Sequence, residues 1–377
     1  MELKMDILTL AKWEKGIQPF LGRLPVQLVV EKYSKGRLDF LAQLKKEIPV
    51  DICEPPQELA RTLWGIRFRT PVMNAAGMFK NGECYEMVAM QGAGGYLGGT
   101  GTWNGRRGNE KNGVYLPFVK YGKSNAASNF LGLPNEGDAE NSIRAHTMGR
   151  MLNCPIGWSV MGSPNFSGEE KLKYLVSSMR LYENANVDFL EINESCPNTG
   201  EGNVQDTGLV ERLTYVKRHF LDERVCDDGR KRVIPVIVKF STDTSLEQVP
   251  MLVDLLCSLG YDGVNFGNTS TQYEKRRAGI MRCEQKLYDY FTQTFGGGVS
   301  GRPLRESSLE LCAKAVEYVK QGGVMREFNV IRTGGVETWK DIEDSARIGV
   351  LLNQWYTGYF KNFSEVGHRV YERLWER

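Results

Sequence analysis

"VIPVIVKFS", residues 233–241, is the stretch on which the fold turns. Its apolar positions run almost unbroken, so an extended segment here would be buried on both faces. It nevertheless ends on a charged residue, Lys239. Similar short runs ending in polar or glycine residues recur on both sides of it. Before it come "PVMNAAG" (71–77), "GGYLGGT" (94–100), "CPIGWSVMG" (154–162) and "VDFLEIN" (187–193); after it come "YDGVNFGN" (261–268), "FNVIRTGG" (328–335) and "GVLLNQWYTG" (349–358). Amphipathic stretches at 169–183, 209–221, 246–256 and 309–319 lie between them. Eight buried strands alternating with helices predict an α/β fold, a (β/α)8 TIM barrel. The second architecture is an open doubly wound sheet. It would place one glycine-rich phosphate loop near the start of the chain, whereas here nearly every strand ends in such residues.

Composition narrows the function. Among 377 residues, 41% are hydrophobic and 25% charged, which suits a globular protein with a sizeable core. A net charge of +2 gives no basic surface for nucleic acid. Eight cysteines occur without a C-x-x-C pair or a Cys/His cluster, so the expectation is reduced thiols, no metal and a cytoplasmic setting. No apolar run approaches the ~18–20 residues of a membrane span. Residues 1–48 read as an N-terminal helical extension and 49–377 as the catalytic barrel. The segments 5–21 and 24–47 carry apolar residues at helical spacing with lysines and arginines between. They read either as a cap on the barrel's end or as a patch resting on a membrane surface.

In a barrel, the C-terminal strand ends and the loops after them form the active face. Asn74, Thr100, Asn193, Cys196, Lys239, Asn268, Gly334 and Thr357 all fall at or just past such ends. Lys80, in "AAGMFKNGEC", offers a fixed positive charge, and the small residues Ala75, Ala76 and Gly77 before it let a flat ligand lie against the backbone. Lys239 would be costly inside a barrel unless something anionic meets it. "TGGV" (333–336) and "YTG" (356–358), following the last two strands, read as an anion site built from backbone N–H groups around Gly334, Gly335 and Gly358, with "GGGVSGRP" (296–303) as a third glycine approach. Asn129, Asn193, Asn198, Asn268 and Thr269 suit a small ring bearing both carbonyl and N–H groups, since amides donate and accept at once. The histidines His146, His219 and His368 sit in ordinary settings and form no hydrolase triad. Cys196, in "NESCPNTG" (193–200), has no motif-linked histidine partner, which disfavours a covalent nucleophile.

These motifs together resemble the dihydroorotate dehydrogenases, flavin enzymes of pyrimidine synthesis, over residues 50–377. The residues that carry the resemblance are "AAGMFKNGEC", "GGTGT", "LGLPNEG", "INESCPNTG", "VIVKF", "GNTST", "GGGVSGRPL", "IRTGGV" and "QWYTG". The resemblance implies that dihydroorotate or orotate is held by Lys80, Asn129, Asn193, Asn198, Asn268 and Thr269. It implies an FMN site at Ala76, Gly77, Thr100, Lys239, Gly301, Gly335, Tyr356 and Thr357, to which Lys80, Ser159, Asn193, Gly334 and Gly358 are added. It gives Cys196 the role of the base that takes a proton from C5 of dihydroorotate while C6 gives hydride to the flavin. A thiol, with an ordinary pKa near ~8.5, needs only modest help to act so. The long N-terminal segment, "AAGMFKNGEC" and "GGGVSGRPL" are similar to the membrane-associated, quinone-reducing class. Cys196 and Ser159 are similar to the soluble class. The expected acceptor is quinone, with fumarate second, and the expected location is cytoplasmic, peripheral at the inner membrane face. Two rival readings are another dihydropyrimidine-type flavin oxidoreductase, in which a histidine would stand at Asn198, and a non-catalytic flavin-binding protein.

Overall fold

The computed structural model describes residues 7–21, 24–194, 208–224, 233–322 and 326–375. Each of the eight apolar runs forms a strand: β1 (Val72–Asn74), β2 (Tyr96–Gly101), β3 (Ile156–Val160), β4 (Phe189–Asn193), β5 (Val236–Phe240), β6 (Gly263–Phe266), β7 (Asn329–Thr333) and β8 (Leu352–Trp355). All are parallel, paired in chain order from β2 round to β8 and then back to β1. Between β1 and β2 a side chain joins the backbone bonds that close the barrel. Asn74 donates to the Leu97 carbonyl (2.7 Å) and accepts from the Leu97 N–H (3.2 Å). The Gly77 N–H to Gly99 carbonyl bond (2.6 Å) continues that seam above it.

Alternation along the strands sorts the residues into layers. Outward positions such as Val236, Val238 and Phe240 of β5, or Leu190 and Ile192 of β4, join the apolar shell under the helices. These helices include Gly168–Asn184, Val249–Leu259 and Arg305–Gln321. Inward positions change character with height. At the bottom Phe189, Ile237, Ile331 and Leu352 form an apolar plug, capped by Leu63, Ile66 and Phe68 from the hairpin Arg61–Leu63/Ile66–Phe68. Leu63 and Phe68 are fully buried, each stabilising the closed end by roughly 1.5–3 kcal/mol. Higher up, the inward residues are polar: Glu191, Lys239, Asn265, Thr333 and Gln354, all buried.

Two further structures rise over the C-terminal face. Strands Phe118–Tyr121, Ala126–Asn129 and Gly298–Gly301 make an antiparallel sheet, with Phe118 and Gly298 on either side of Asn129. Helices α1 (Ile7–Leu21) and α2 (Val26–Leu44) flank it. Val30 of α2 joins the cluster of Val119, Tyr121, Tyr288 and Phe291, and the Ser34 hydroxyl accepts from the Phe118 N–H (2.9 Å). Glu14 of α1 pairs with Lys120 (2.8 Å), and Lys15 with Glu365 (3.1 Å). The two N-terminal helices therefore sit against the active face of the barrel.

Candidate active site

At the C-terminal end of the barrel is a cavity with about 1040 Å³ of empty space, open mouth included. Its floor is Ala75, Ala76 and Gly77, just past β1. Gly77 has φ +90°, and a Cβ there would meet nothing within 4 Å, so the space beside its α carbon belongs to the cavity. A flat ring system can lie directly on this backbone.

A chain of hydrogen bonds crosses the wall. Asn268 Nδ2 donates to Asn193 Oδ1 (3.0 Å), Asn193 Nδ2 donates to Thr100 Oγ1 (3.2 Å), and the Thr100 and Ser159 hydroxyls lie 3.0 Å apart. The Asn268 carboxamide also accepts from the Thr269 N–H (2.9 Å), fixing its orientation. Asn129 enters from the antiparallel sheet. The Thr269 hydroxyl is buried and, among the described residues, has no hydrogen-bond partner. A buried orphan hydroxyl at a cavity wall is a ready contact for a polar ligand atom.

Opposite this wall the backbone forms an anion cradle. Helix Thr357–Val366 starts at the cavity, and the first N–H groups of a helix have no partner within it. Gly334, Gly335 and Gly301 complete the cradle with positive φ. A Cβ on Gly335 would lie 2.4 Å from the Arg305 α carbon, and one on Gly358 2.2 Å from the Val336 carbonyl. Only glycine lets these segments approach so closely. The Thr357 hydroxyl is 3.0 Å from that of Ser300. Main-chain donors at a helix start suit a phosphate.

Two lysines bring positive charge. Lys80 lines the cavity beyond the floor, on a loop braced by Asn81, whose N–H and side-chain amide both donate to Glu83 (2.9 and 3.3 Å). Lys239 lines it from β5, and the anion its burial requires turns out to be part of the protein: Glu191 Oε1 lies 3.4 Å from its Nζ.

Of the residues singled out in the sequence, Ala76, Gly77, Lys80, Thr100, Asn129, Asn193, Lys239, Asn268, Thr269, Gly301, Gly334, Gly335, Tyr356, Thr357 and Gly358 all line this one cavity. Ser159 does not. It is fully buried on β3 and braces Thr100 from behind, because its strand position falls one layer below the cavity wall. Cys196 and Asn198 lie outside the described residues. Glu194, which follows Asn193, pairs with Arg212 (2.9 Å). None of the three histidines lines the cavity. Sequence reasoning missed Phe118, Ser300, Leu131 and Leu133, which reach the cavity from outside the strand ends, and Gln354, which lines it from β8; it also missed Glu191 in the layer below. An acidic residue at an inward position of "VDFLEIN" was the available signal for Glu191.

Fold and site together define an α/β barrel whose C-terminal cavity joins a flat backbone floor, a glycine-rich anion cradle, two lysines and a wall of amides. Residues 58–377 match the family described as Dihydroorotate dehydrogenase, and the chain belongs to that family of oxidoreductases. The chain is 27% identical over 303 residues to the dihydroorotate dehydrogenase (quinone) of Baumannia cicadellinicola subsp. Homalodisca coagulata, covering 80% of this chain and 82% of that one. It is 30% identical over 304 residues to the dihydroorotate dehydrogenase (quinone) of Nocardia farcinica, covering 80% and 75%. In three dimensions it is similar to the crystal structure of DHODH from Eimeria tenella in complex with ferulenol. That match has a TM-score of 0.71 at 22% identity, covers 93% of this chain and 88% of that one, and bears on the fold alone.

Proposed function

We propose that this protein oxidises dihydroorotate to orotate, using FMN bound in the cavity, Cys196 as the base and a quinone as the acceptor. One observation carries the reading: a flat glycine-alanine floor, a phosphate cradle, two lysines and a wall of amides share a single cavity. FMN supplies the hydride acceptor. The cradle of Gly334, Gly335, Thr357 and Gly358 would hold its phosphate, and Ala76, Gly77 and Thr100 would border its ring. The donor set fits, since backbone N–H groups and a helix start receive the phosphate without a dedicated cation.

The chain's own groups account for the remaining chemistry. Lys80 supplies the counter-charge for the substrate carboxylate. Asn129, Asn193, Asn268 and the Thr269 hydroxyl pair with ring carbonyl and N–H groups, and Asn198 would add to them. Cys196 takes the proton from C5, and its segment follows the strand end that places Asn193. Holding the ring by several amides at once fixes which carbon faces the base and which faces the cofactor.

The acceptor reading rests on the relatives' names and on α1 and α2. Arg37 of α2 donates to the Tyr356 hydroxyl (3.1 Å) at the rim of the cavity, with its guanidinium 5.6 Å from the centre of the Phe118 ring. A ring-shaped acceptor approaching between the helices and the antiparallel sheet would meet these three side chains first. Residues 1–48 would then form an access element resting on the membrane surface, with the barrel from 49 onward as the catalytic unit. Among the described residues no helix is long and apolar enough to cross a membrane.

Releasing the bound cofactor from the purified protein and weighing it, then comparing turnover of dihydroorotate with a short-chain quinone and with fumarate, tests this reading. FMN with faster quinone turnover is expected. A different cofactor, or faster turnover with fumarate, would overturn the corresponding part.

A further inference from the structure

The buried layer beneath the cavity holds a carboxylate that none of the sequence motifs explains. Glu191 lies on β4 one inward position below Asn193 and is fully buried. Its Oε1 is 3.4 Å from Lys239 Nζ, and its Oε2 accepts from Asn265 Nδ2 (2.8 Å) and Gln354 Nε2 (2.8 Å). Every one of these partners is a donor, so the carboxylate plays acceptor roles only, those of its ionised form. Gln354 Oε1 sits 3.4 Å from the same ammonium, and the Thr333 hydroxyl lies 2.9 Å from Asn265 Oδ1 and 3.0 Å from Gln354 Oε1. The result is a closed polar ring around one positive and one negative charge.

Packing alone does not call for such a ring. The layer directly beneath is filled by Phe189, Ile237, Ile331 and Leu352, and a buried ion pair is commonly no more stabilising than apolar residues of similar volume. What distinguishes the pair is its position. Lys239 and Gln354 line the cavity, whereas Glu191 stands behind them.

We propose that Glu191 is a positioning residue for the redox reaction: it holds Lys239 beneath the cavity and offsets its charge, lowering the reduction potential of the bound flavin. The inference rests on the reading that FMN occupies the cavity. Reduction adds negative charge to the ring, and an ammonium beside it in a low-dielectric interior favours the reduced form. A fixed carboxylate on the far side of that ammonium weakens the preference. The protein thereby keeps the cofactor-side lysine while leaving the reduced cofactor a better donor to the acceptor.

The test is the midpoint potential of the flavin-loaded protein, with cooperative thermal unfolding as a check on folding. In Glu191→Gln the uncompensated lysine raises the potential, shifting the reduced-to-oxidised equilibrium by tenfold or more, about 30 mV for a two-electron couple. The effect is also read with the lysine absent: E191Q/K239Q lies above K239Q by a shift of the same sign. If the single glutamine variant does not fold, this second comparison decides. Flavin-bound variants with unchanged potentials, or a lower potential on loss of Glu191, overturn the inference while leaving the dehydrogenase reading intact. A wild-type protein that takes up no flavin overturns both.

Discussion

Asp138 opens the helix Asp138–Thr147 and has no exposed surface. It accepts from the Ser178 hydroxyl (2.5 Å) and the Tyr182 hydroxyl (2.7 Å), directly behind Gly101, where a Cβ would fall 2.0 Å from its Oδ1. Burial pushes its carboxyl up to about 6, and the two hydroxyls only partly oppose that. Because the folded value lies above the unfolded one, near ~3.9, the folded state binds the extra proton between them. Stability therefore falls as pH rises from about 4 through about 6, by roughly 3 kcal/mol in all. Asp138→Asn is expected to remove that component, so that denaturant midpoints of the variant change less between pH 4 and pH 7 than those of wild type. Parallel curves for the two proteins would contradict the assignment. Legibility at this scale was uneven. Lys239 was readable as a charge in need of a partner, but the partner was not, because pairing Glu191 with it requires knowing which positions of two strands face inward. Ser159 entered only through the family resemblance, and its place behind Thr100 was not readable from the sequence.

At the scale of elements, α2 is tied to the site at two points. Near its middle Arg37 reaches Tyr356, and just past its end Lys45 pairs with Glu83 (2.7 Å), which braces Asn81 beside Lys80. Burial would raise the Glu83 carboxyl, but the Lys45 ammonium and two backbone N–H groups outweigh it and hold it below the usual value. Removing residues 1–48 would uncover Val119, Tyr121 and the apolar residues with which Val30 packs, so a single substitution isolates the acceptor side more cleanly. Arg37→Ala is expected to lower kcat/KM for quinone by about tenfold while the rate of flavin reduction by dihydroorotate stays near wild type. A parallel fall in both rates would assign Arg37 to the architecture of the cavity rather than to the acceptor path. The helices were legible by their local period and the eight strands by their short, nearly unbroken apolar runs. "VDFLEIN" contains β4 whole, and the stretch 169–183 falls within the helix Gly168–Asn184.

Across the whole molecule, what local pattern could not give is the pairing of distant segments. "GGGVSGRP" was readable as a glycine approach, yet its strand pairs with residues about 170 positions earlier to wall the cavity. The stretches 103–128 and 270–295, insertions whose contribution the sequence does not give, supply the sheet's strand Phe118–Tyr121 and the helix Arg282–Thr294 packed on it. The part of the Asn74 side chain in closing the barrel is likewise invisible in the sequence, which marks Asn74 only as a strand-end polar residue. The chain belongs to the dihydroorotate dehydrogenase family, and its described residues bring two lysines and a wall of amides to one cavity. The most direct measurement is to mix the purified, flavin-loaded protein anaerobically with dihydroorotate and follow the visible absorbance of the flavin. Rapid bleaching, absent with dihydrouracil, is the result this account requires. A flavin that stays oxidised with dihydroorotate but bleaches with dihydrouracil would contradict it.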